Sequence, residues 1–171
     1  GGRRLVSSEP LPVHTPTISL STVTYSPTVI LNGVKSLSYA ANMQATRIAR
    51  TTGAQEALLV TPEGKVLEAP TSTLFWVSGG RLRTTDPGNG VLASITAAVI
   101  IDALDVELGH FPLEDVMGAS EAYLASPTRE VQPGATGDVR HHAARHDREV
   151  PARRAEPFQA HGRQVEVGHV E

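Results

Sequence analysis

Two lysines, Lys35 and Lys65, are the residues in this sequence whose type and position could do nucleophilic chemistry. Lysine is scarce, since every other one of the 15 basic residues is an arginine. Lys65 follows a turn signal at residues 62–64, where a solvated surface amine is expected. Lys35 lies between Val34 and Leu37, where burial would favour the neutral amine that attacks a carbonyl carbon to form a Schiff base. A surface lysine whose carbon chain lies along apolar side chains is the alternative for Lys35.

Ser94, Ile95 and Thr96 are predicted to begin a helix. The first backbone N–H groups of a helix have no partner within it, and the helix dipole makes this end positive. An anion can bind there, with the Thr96 hydroxyl as a further donor. Ordinary N-capping by Ser94 is the alternative, although one serine can cap the helix and shape an anion site at the same time.

The elements that must position these groups can be recognised from apolar periodicity and turn residues. Alternation at period two predicts strands, and apolar residues three or four positions apart predict helices. The predicted strands cover residues 18–25, 57–61, 65–68, 74–77, 81–84, 121–126 and 130–132, and the predicted helices cover residues 38–52, 95–106 and 113–117. Gly53 is expected to end the first helix. The pattern indicates an α+β fold with two successive hairpins and largely antiparallel pairing, and it argues against a Rossmann repeat.

Composition and charge narrow the function classes. A length of 171 residues suits one domain with one core. The net charge of -3 gives no reason to expect nucleic acid or a membrane surface as a partner, so a small molecule is expected. The lack of cysteine excludes disulfides, thiolate metal sites and a cysteine nucleophile. No run approaches the roughly 18 apolar residues of a membrane helix, and the start does not resemble a signal peptide, so the cytoplasm is the default location.

Domain organisation follows from where the periodicity begins and ends. Residues 1–16 are interpreted as a linker or incoming segment, and residues 17–137 as one folded domain. Residues 138–171 have too few apolar side chains for a core and are predicted to be a disordered tail. Histidines at 141, 142 and 146 could bind a metal, but their polar surroundings and the small number of supporting carboxylates argue against it, so no metal site is expected.

Seven short strings between residues 17 and 134 carry a family resemblance. They are VKSLSY at 34–39, GAQEALLV at 53–60, GKVLE at 64–68, TLF at 73–75, LASIT at 92–96, EAYL at 121–124 and EVQP at 130–133. In this order the sequence resembles the class-IV, fold-type IV enzymes that bind pyridoxal 5'-phosphate. That family includes branched-chain and D-amino-acid aminotransferases and 4-amino-4-deoxychorismate lyase. Each string alone is weak, whereas the ordered set at compatible spacing is fairly specific.

The resemblance implies the large, cofactor-binding domain of such an enzyme, with a mainly antiparallel, barrel-like sheet and flanking helices. It implies pyridoxal 5'-phosphate as the cofactor, held by Lys35, with Glu68 facing the pyridine nitrogen and keeping it protonated. Tyr39 is then a candidate for the phenolic oxygen, residues 94–96 for the first phosphate contact and Ser126 for the second. A solvent-facing strand-end glutamate and a half-buried core tyrosine are the alternatives for Glu68 and Tyr39.

The expected activity is transfer of an amino group from an amino acid, of branched-chain or related type, to a 2-oxo acid. In this interpretation Lys35 also moves the proton at the substrate Cα. One alternative is the lyase reaction, in which the same cofactor eliminates pyruvate from aminodeoxychorismate; Phe75 and Trp76 after Thr73 favour it. Another alternative is a truncated, non-catalytic remnant of such an enzyme.

Departures from the family pattern qualify the expected site. Pro127 has no N–H to offer at the second phosphate contact. Ser94 stands where relatives commonly have glycine, and Ser72 and Thr73 stand where many aminotransferases have asparagine. In relatives a smaller N-terminal domain supplies an arginine to the phosphate and part of the substrate pocket. The chain is expected to lack that domain and to represent a fragment of an enzyme that is homodimeric at full length.

Overall fold

A computed structural model describes residues 6–140 of the chain. Helices and strands follow one another in the order β1 (Ile18–Thr24), α1 (Ala40–Thr51), β2 (Glu56–Val60), β3 (Thr73–Ser78), β4 (Arg81–Thr85), α2 (Ile95–Ala103), β5 (Val106–Gly109), α3 (Leu113–Met117), β6 (Glu121–Ser126) and β7 (Glu130–Arg140). Short 3-10 turns at Val29–Leu31 and Pro87–Asn89 precede α1 and α2. Within residues 6–140, no helix has the length and apolar character needed to span a membrane.

The two ends of the chain are described only in part. β7 continues to Arg140 and so includes the first residues of the segment predicted as a disordered tail. The rest of that segment, with the histidines at 141, 142 and 146, lies outside the described residues. Residues 1–5 of the predicted linker lie outside them as well.

Within residues 6–140, seven strands form one sheet in the order β2-β1-β7-β6-β3-β4-β5. The α+β class is confirmed, and the sheet is mixed, with parallel pairs beside the predicted antiparallel ones. Among the described strands, β1 pairs in parallel with both β2 and β7, and β4 pairs in parallel with β5. The antiparallel pairs are β3 with β4, β3 with β6 and β6 with β7. Parallel partners are distant along the chain, so no local turn signal announces them.

The predicted second helix, over residues 95–106, is too long. α2 ends at Ala103, and Val106 begins β5, where it pairs with Leu82 of β4. Val106 continues the apolar spacing of the helix, but its side chain packs with those of Leu82 and Ile101 against buried Phe75. Apolar periodicity alone did not separate a short strand from the end of a helix.

Residues 65–68 were expected to form a strand of their own. They run beside β2 and complete the first hairpin without forming a regular strand: the Leu59 N–H donates to the Glu68 carbonyl and the Leu67 N–H donates to the Leu59 carbonyl, each at 2.9 Å. The second hairpin, β3 to β4, is confirmed. Its turn has Gly79 at φ 58° and Gly80 at φ 75°, values that favour glycine and match the twist of a two-residue hairpin.

The sheet buries both faces near its β2 edge. Every residue of β2 is buried, and alternation sends Leu58 and Val60 to one side and Ala57 and Leu59 to the other. The first side packs against α3, and the second packs against buried alanines of α1. α1 ends where predicted, because Gly53 takes the left-handed conformation at φ 83°. Two-sided burial explains why β2 is a continuous apolar run rather than an alternating one.

A polar cluster ties α3 to the far side of the sheet. Trp76 Nε1, Ser78 Oγ and Arg83 Nη1 all donate to the Asp115 carboxylate, at 2.7, 2.8 and 2.7 Å. Burial by itself would raise the pKa of Asp115, but these hydrogen bonds outweigh it and hold that pKa below its ordinary value. Arg83 also pairs with Glu107 of β5 at 2.9 Å. The cluster therefore stabilises the fold at a distance from the predicted site residues.

Candidate active site

A cavity of about 440 Å³ lies where four connecting segments meet: the loop before α1, the segment between β2 and β3, the segment before α2 and the β6–β7 turn. Six of the predicted site residues line it, namely Lys35, Tyr39, Glu68, Ser94, Ile95 and Ser126. Thr96, the remaining one, does not line the cavity. Residues from four separate stretches of sequence thus share one space that is large enough for a small aromatic ligand.

Lys35 lies at the rim, in the loop between the 3-10 turn and α1. Its Nζ donates to the Tyr39 hydroxyl at 3.4 Å and lies 5.9 Å from the centroid of that ring. The prediction that apolar neighbours bury Lys35 is wrong: Lys35 itself is exposed, and so are Val34 and Leu37, the latter at 99%. Val34 and Leu37 therefore do not cover the Lys35 side chain. The amine is therefore open to a ligand in the cavity.

Glu68 supplies the carboxylate of the cavity, at the end of the segment that runs beside β2. Its Oε1 accepts a hydrogen bond from the Leu92 N–H at 3.0 Å. Burial raises the pKa of Glu68 to about 7, while this hydrogen bond and the positive charge of Lys35 oppose the rise. A carboxyl group with such a pKa exchanges a proton near neutral pH, which suits contact with a basic nitrogen.

The N-terminus of α2 forms another wall. Ser94 is the N-cap, as predicted, and its Oγ accepts from the Ala97 N–H at 3.0 Å. The Thr73 hydroxyl donates to the same oxygen at 3.2 Å and so fixes the start of α2 against the start of β3. Ile95 is exposed and lines the cavity. Ser94 therefore both caps α2 and lines the cavity, while Thr96 does not line it.

Ser126 ends β6 and brings the β6–β7 turn to the cavity. Its buried Oγ lies 3.3 Å from the Arg129 backbone nitrogen and 3.4 Å from Thr128 Oγ1. Pro127 lines the cavity as well, and its missing N–H leaves no backbone donor at that position. The Ser126 hydroxyl is therefore the polar group that this turn can offer a ligand.

Sequence reasoning missed several contributors to the cavity. Ser72 lines it and is buried, and its Oγ has no hydrogen-bond partner; among the described residues, Ser21 Oγ is the other buried side-chain atom in that state. Asn42 of α1 donates to the Pro70 carbonyl at 2.7 Å and so holds the turn that carries Ser72. The Leu92 N–H that bonds Glu68 had no sequence signal at all. The departure from the family pattern at Ser72 and Thr73 was the one clue available.

Metal chemistry has no support in the described part of the chain. Within residues 6–140, no group of three or more histidines, aspartates or glutamates is arranged to hold a metal ion. The chemistry available in the cavity is that of an amine, a titrating carboxyl, hydroxyl groups and the positive end of a helix.

Comparison with known proteins places these features in a family. The amino-transferase class IV family matches residues 4–136. The chain is 30% identical over 105 residues to aminodeoxychorismate lyase of Bacillus subtilis (strain 168), a match that covers 58% of this chain and 36% of that protein. The chain therefore spans well under half the length of this curated relative.

Solved structures agree in fold. A fold IV-transaminase from Curtobacterium pusillum superposes with a TM-score of 0.67 and 28% identity, over 75% of this chain and 49% of the other. A branched-chain amino acid aminotransferase from Thermobaculum terrenum, solved in its PLP form, superposes with a TM-score of 0.63 and 29% identity, over 70% and 42% of the two chains. The family match extends over most of the described residues, and this chain belongs to the class IV aminotransferase family.

Proposed function

We propose that this chain is the cofactor-binding part of a pyridoxal-phosphate-dependent aminotransferase that moves an amino group from an amino acid to a 2-oxo acid. The observation that carries the proposal is the convergence of Lys35, Glu68 and the N-terminus of α2 on one cavity. Family membership and the PLP form of the Thermobaculum terrenum relative support the choice of cofactor.

The cavity fits the cofactor group by group. A pyridine nitrogen requires an acidic partner, and Glu68 titrates near neutral pH. A phosphate requires N–H donors and positive potential, and α2 presents its first turn beside Ser94. The Ser72 hydroxyl is buried without a partner on the cavity wall, a costly state that a polar ligand would relieve. Donors and acceptors are thus present for the polar groups of pyridoxal phosphate.

The chain's own residues have distinct roles in this proposal. Pyridoxal phosphate, when bound, supplies an electron sink that lowers the energy of removing a proton from the substrate Cα. The exposed Lys35 amine holds the cofactor and carries the Cα proton as base and then as acid. The Tyr39 hydroxyl, 3.4 Å from Lys35 Nζ, orients that amine. Glu68 holds a proton at the ring nitrogen, and Ser94 and Ser126 border the phosphate.

Pyruvate elimination from aminodeoxychorismate is the second candidate function. The 30% identity to the Bacillus subtilis lyase favours it, and the same amine and carboxyl would serve that reaction. The two activities differ in the substrate that enters the cavity and in the bond that breaks, while cofactor binding is common to both.

Absorbance spectroscopy of the purified chain with pyridoxal phosphate tests both candidates. We expect a visible band from protein-bound cofactor. Bleaching of this band by amino donors, with conversion of the cofactor to its amine form, would support the transferase. Release of pyruvate from aminodeoxychorismate would support the lyase instead. If no band develops at any cofactor concentration, the chain does not hold the cofactor and the proposal is wrong.

A further inference from the structure

A buried ion pair lies directly behind the β6–β7 turn. Arg129 Nη2 contacts Glu56 Oε2 at 3.1 Å, and the two side chains are only 14% and 6% exposed. Arg129 Nη1 also donates to Gln132 Oε1 at 2.8 Å, and Glu56 Oε1 accepts from the Thr46 hydroxyl at 2.7 Å. The pair joins this turn to Glu56 of β2, 73 residues away in sequence, and through Thr46 to α1. Each charged group therefore has a partner of opposite charge and at least one further hydrogen bond.

Arg129 fixes the conformation of that turn through its backbone as well. Its N–H lies 3.2 Å from the Ser126 carbonyl and 3.3 Å from the Ser126 hydroxyl oxygen. The next residue, Glu130, has φ 56°, and among the described residues it is the only non-glycine with positive φ. A non-glycine residue in this region is strained, and surrounding contacts must hold it there. The Arg129–Glu56 ion pair and the Arg129–Gln132 hydrogen bond are such contacts at this turn.

The β6–β7 turn lies beside the start of α2. Ala125, just before Ser126, pairs with Thr73 in the sheet, and the Thr73 hydroxyl bonds the Ser94 N-cap. Ala97 of α2 packs in one cluster with Ala125. Ser126 and Pro127 line the cavity, whereas Arg129 and Glu56 do not. The ion pair can therefore influence a ligand only through the position of the turn.

We propose that Arg129, paired with Glu56, is a positioning residue that directs the Ser126 hydroxyl at the phosphate of the cofactor, an inference that rests on the proposed function. The Arg129 N–H occupies a lone pair of Ser126 Oγ. The hydroxyl proton can then donate to Thr128 Oγ1, 3.4 Å away, or to an anion held between this turn and the first turn of α2. In this way the turn compensates for the N–H that Pro127 lacks.

The test separates phosphate recognition from general stability by comparing two ligands. Pyridoxal phosphate and pyridoxal differ by the phosphate, so the ratio of their dissociation constants measures that contact alone. The double variant Arg129→Gln/Glu56→Gln removes both charges together and leaves no unpaired buried charge. The matched control is Arg83→Gln/Asp115→Asn, which removes the similarly buried pair of the far cluster, joined at 2.7 Å.

We expect the wild-type chain to bind pyridoxal phosphate more tightly than pyridoxal. In the Arg129/Glu56 variant the ratio of the two dissociation constants should shift about tenfold toward pyridoxal, which is the effect of losing one charge-assisted hydrogen bond. Its affinity for pyridoxal should stay unchanged. The control variant should unfold at a lower temperature yet keep the wild-type preference. If the Arg129/Glu56 variant also keeps the wild-type preference, Arg129 has no positioning role, and the proposed function is unaffected.

Arg129→Lys provides the test if the double variant fails to fold. Lysine keeps a positive charge beside Glu56 but cannot bond Glu56 and Gln132 with one planar group. The ratio of the two dissociation constants is therefore expected to shift roughly threefold toward pyridoxal. An unchanged preference in this variant overturns the inference. A wild-type chain that binds neither ligand overturns the proposed function and this inference together.

Discussion

Replacing Glu68 by glutamine should make the stability of the cofactor-free chain less dependent on pH. Burial raises the pKa of Glu68 to about 7 from an ordinary value of 4.5. Each unit of pKa difference between the folded and unfolded states corresponds to about 1.4 kcal/mol, so this difference changes the free energy of unfolding by about 3 kcal/mol. Because Glu68 keeps some contact with solvent, we take this figure as an upper value. Glutamine preserves the shape of the side chain and an oxygen that accepts the Leu92 N–H.

The sign follows from which state holds the proton. Between pH 4.5 and 7 the folded chain keeps a proton on Glu68 that the unfolded chain has released, so stability is lost as pH rises through this window. Above pH 7 the folded chain carries the full cost of a buried carboxylate. The free energy of unfolding of Glu68→Gln, relative to wild type, should therefore increase by up to about 3 kcal/mol between pH 4.5 and pH 8.

Urea unfolding followed by fluorescence measures this difference, since Trp76 is the one tryptophan of the sequence and is buried. Glu9→Gln serves as the control, because Glu9 is exposed and its variant should track wild type at every pH. A difference between Glu68→Gln and wild type that does not change with pH would refute the burial of a titrating carboxyl. With cofactor bound, the same variant should keep most affinity and lose about ten- to a hundredfold in turnover.

Two further predictions concern the proposed site, and one concerns the end of the chain. Borohydride reduction of the cofactor complex should place the pyridoxyl label on Lys35 and not on Lys65, and peptide mass spectrometry that finds it on Lys65 would contradict the assignment. Ser72→Ala and Ser21→Ala should each raise the free energy of unfolding by about 1 kcal/mol, because each removes an unpaired buried hydroxyl. Only Ser72→Ala should also weaken pyridoxal phosphate binding. Equal binding by both variants would exclude Ser72 from the site. Ending the chain after Arg140 should leave the melting temperature within a few degrees of wild type, as differential scanning calorimetry can show, whereas a large drop would mean that the removed segment packs on the domain.

Some elements could be predicted because their signals are local. The strand over residues 121–126 and the helix over residues 113–117 have the predicted bounds, and the turn at Gly79 and Gly80 joins the predicted strands. Alternation, helical spacing and glycine at a turn depend only on neighbours along the chain. β5 and the long extension of β7 were missed because partners far away in sequence stabilise them: β4 for β5, and β1 for the extension of β7.

The sequence by itself determined the residue types of the candidate site and, through the family resemblance, its lysine and carboxylate. Only the tertiary structure decided that Lys35 is exposed, that Glu68 bonds a backbone N–H 24 residues away, and that Ser72 is buried without a partner. The pairing of Arg129 with Glu56 was equally unreadable from sequence. The physical reason is that burial, and the pKa values that depend on it, are set by segments that meet only when the sheet assembles, whereas sequence patterns record the preferences of each segment alone.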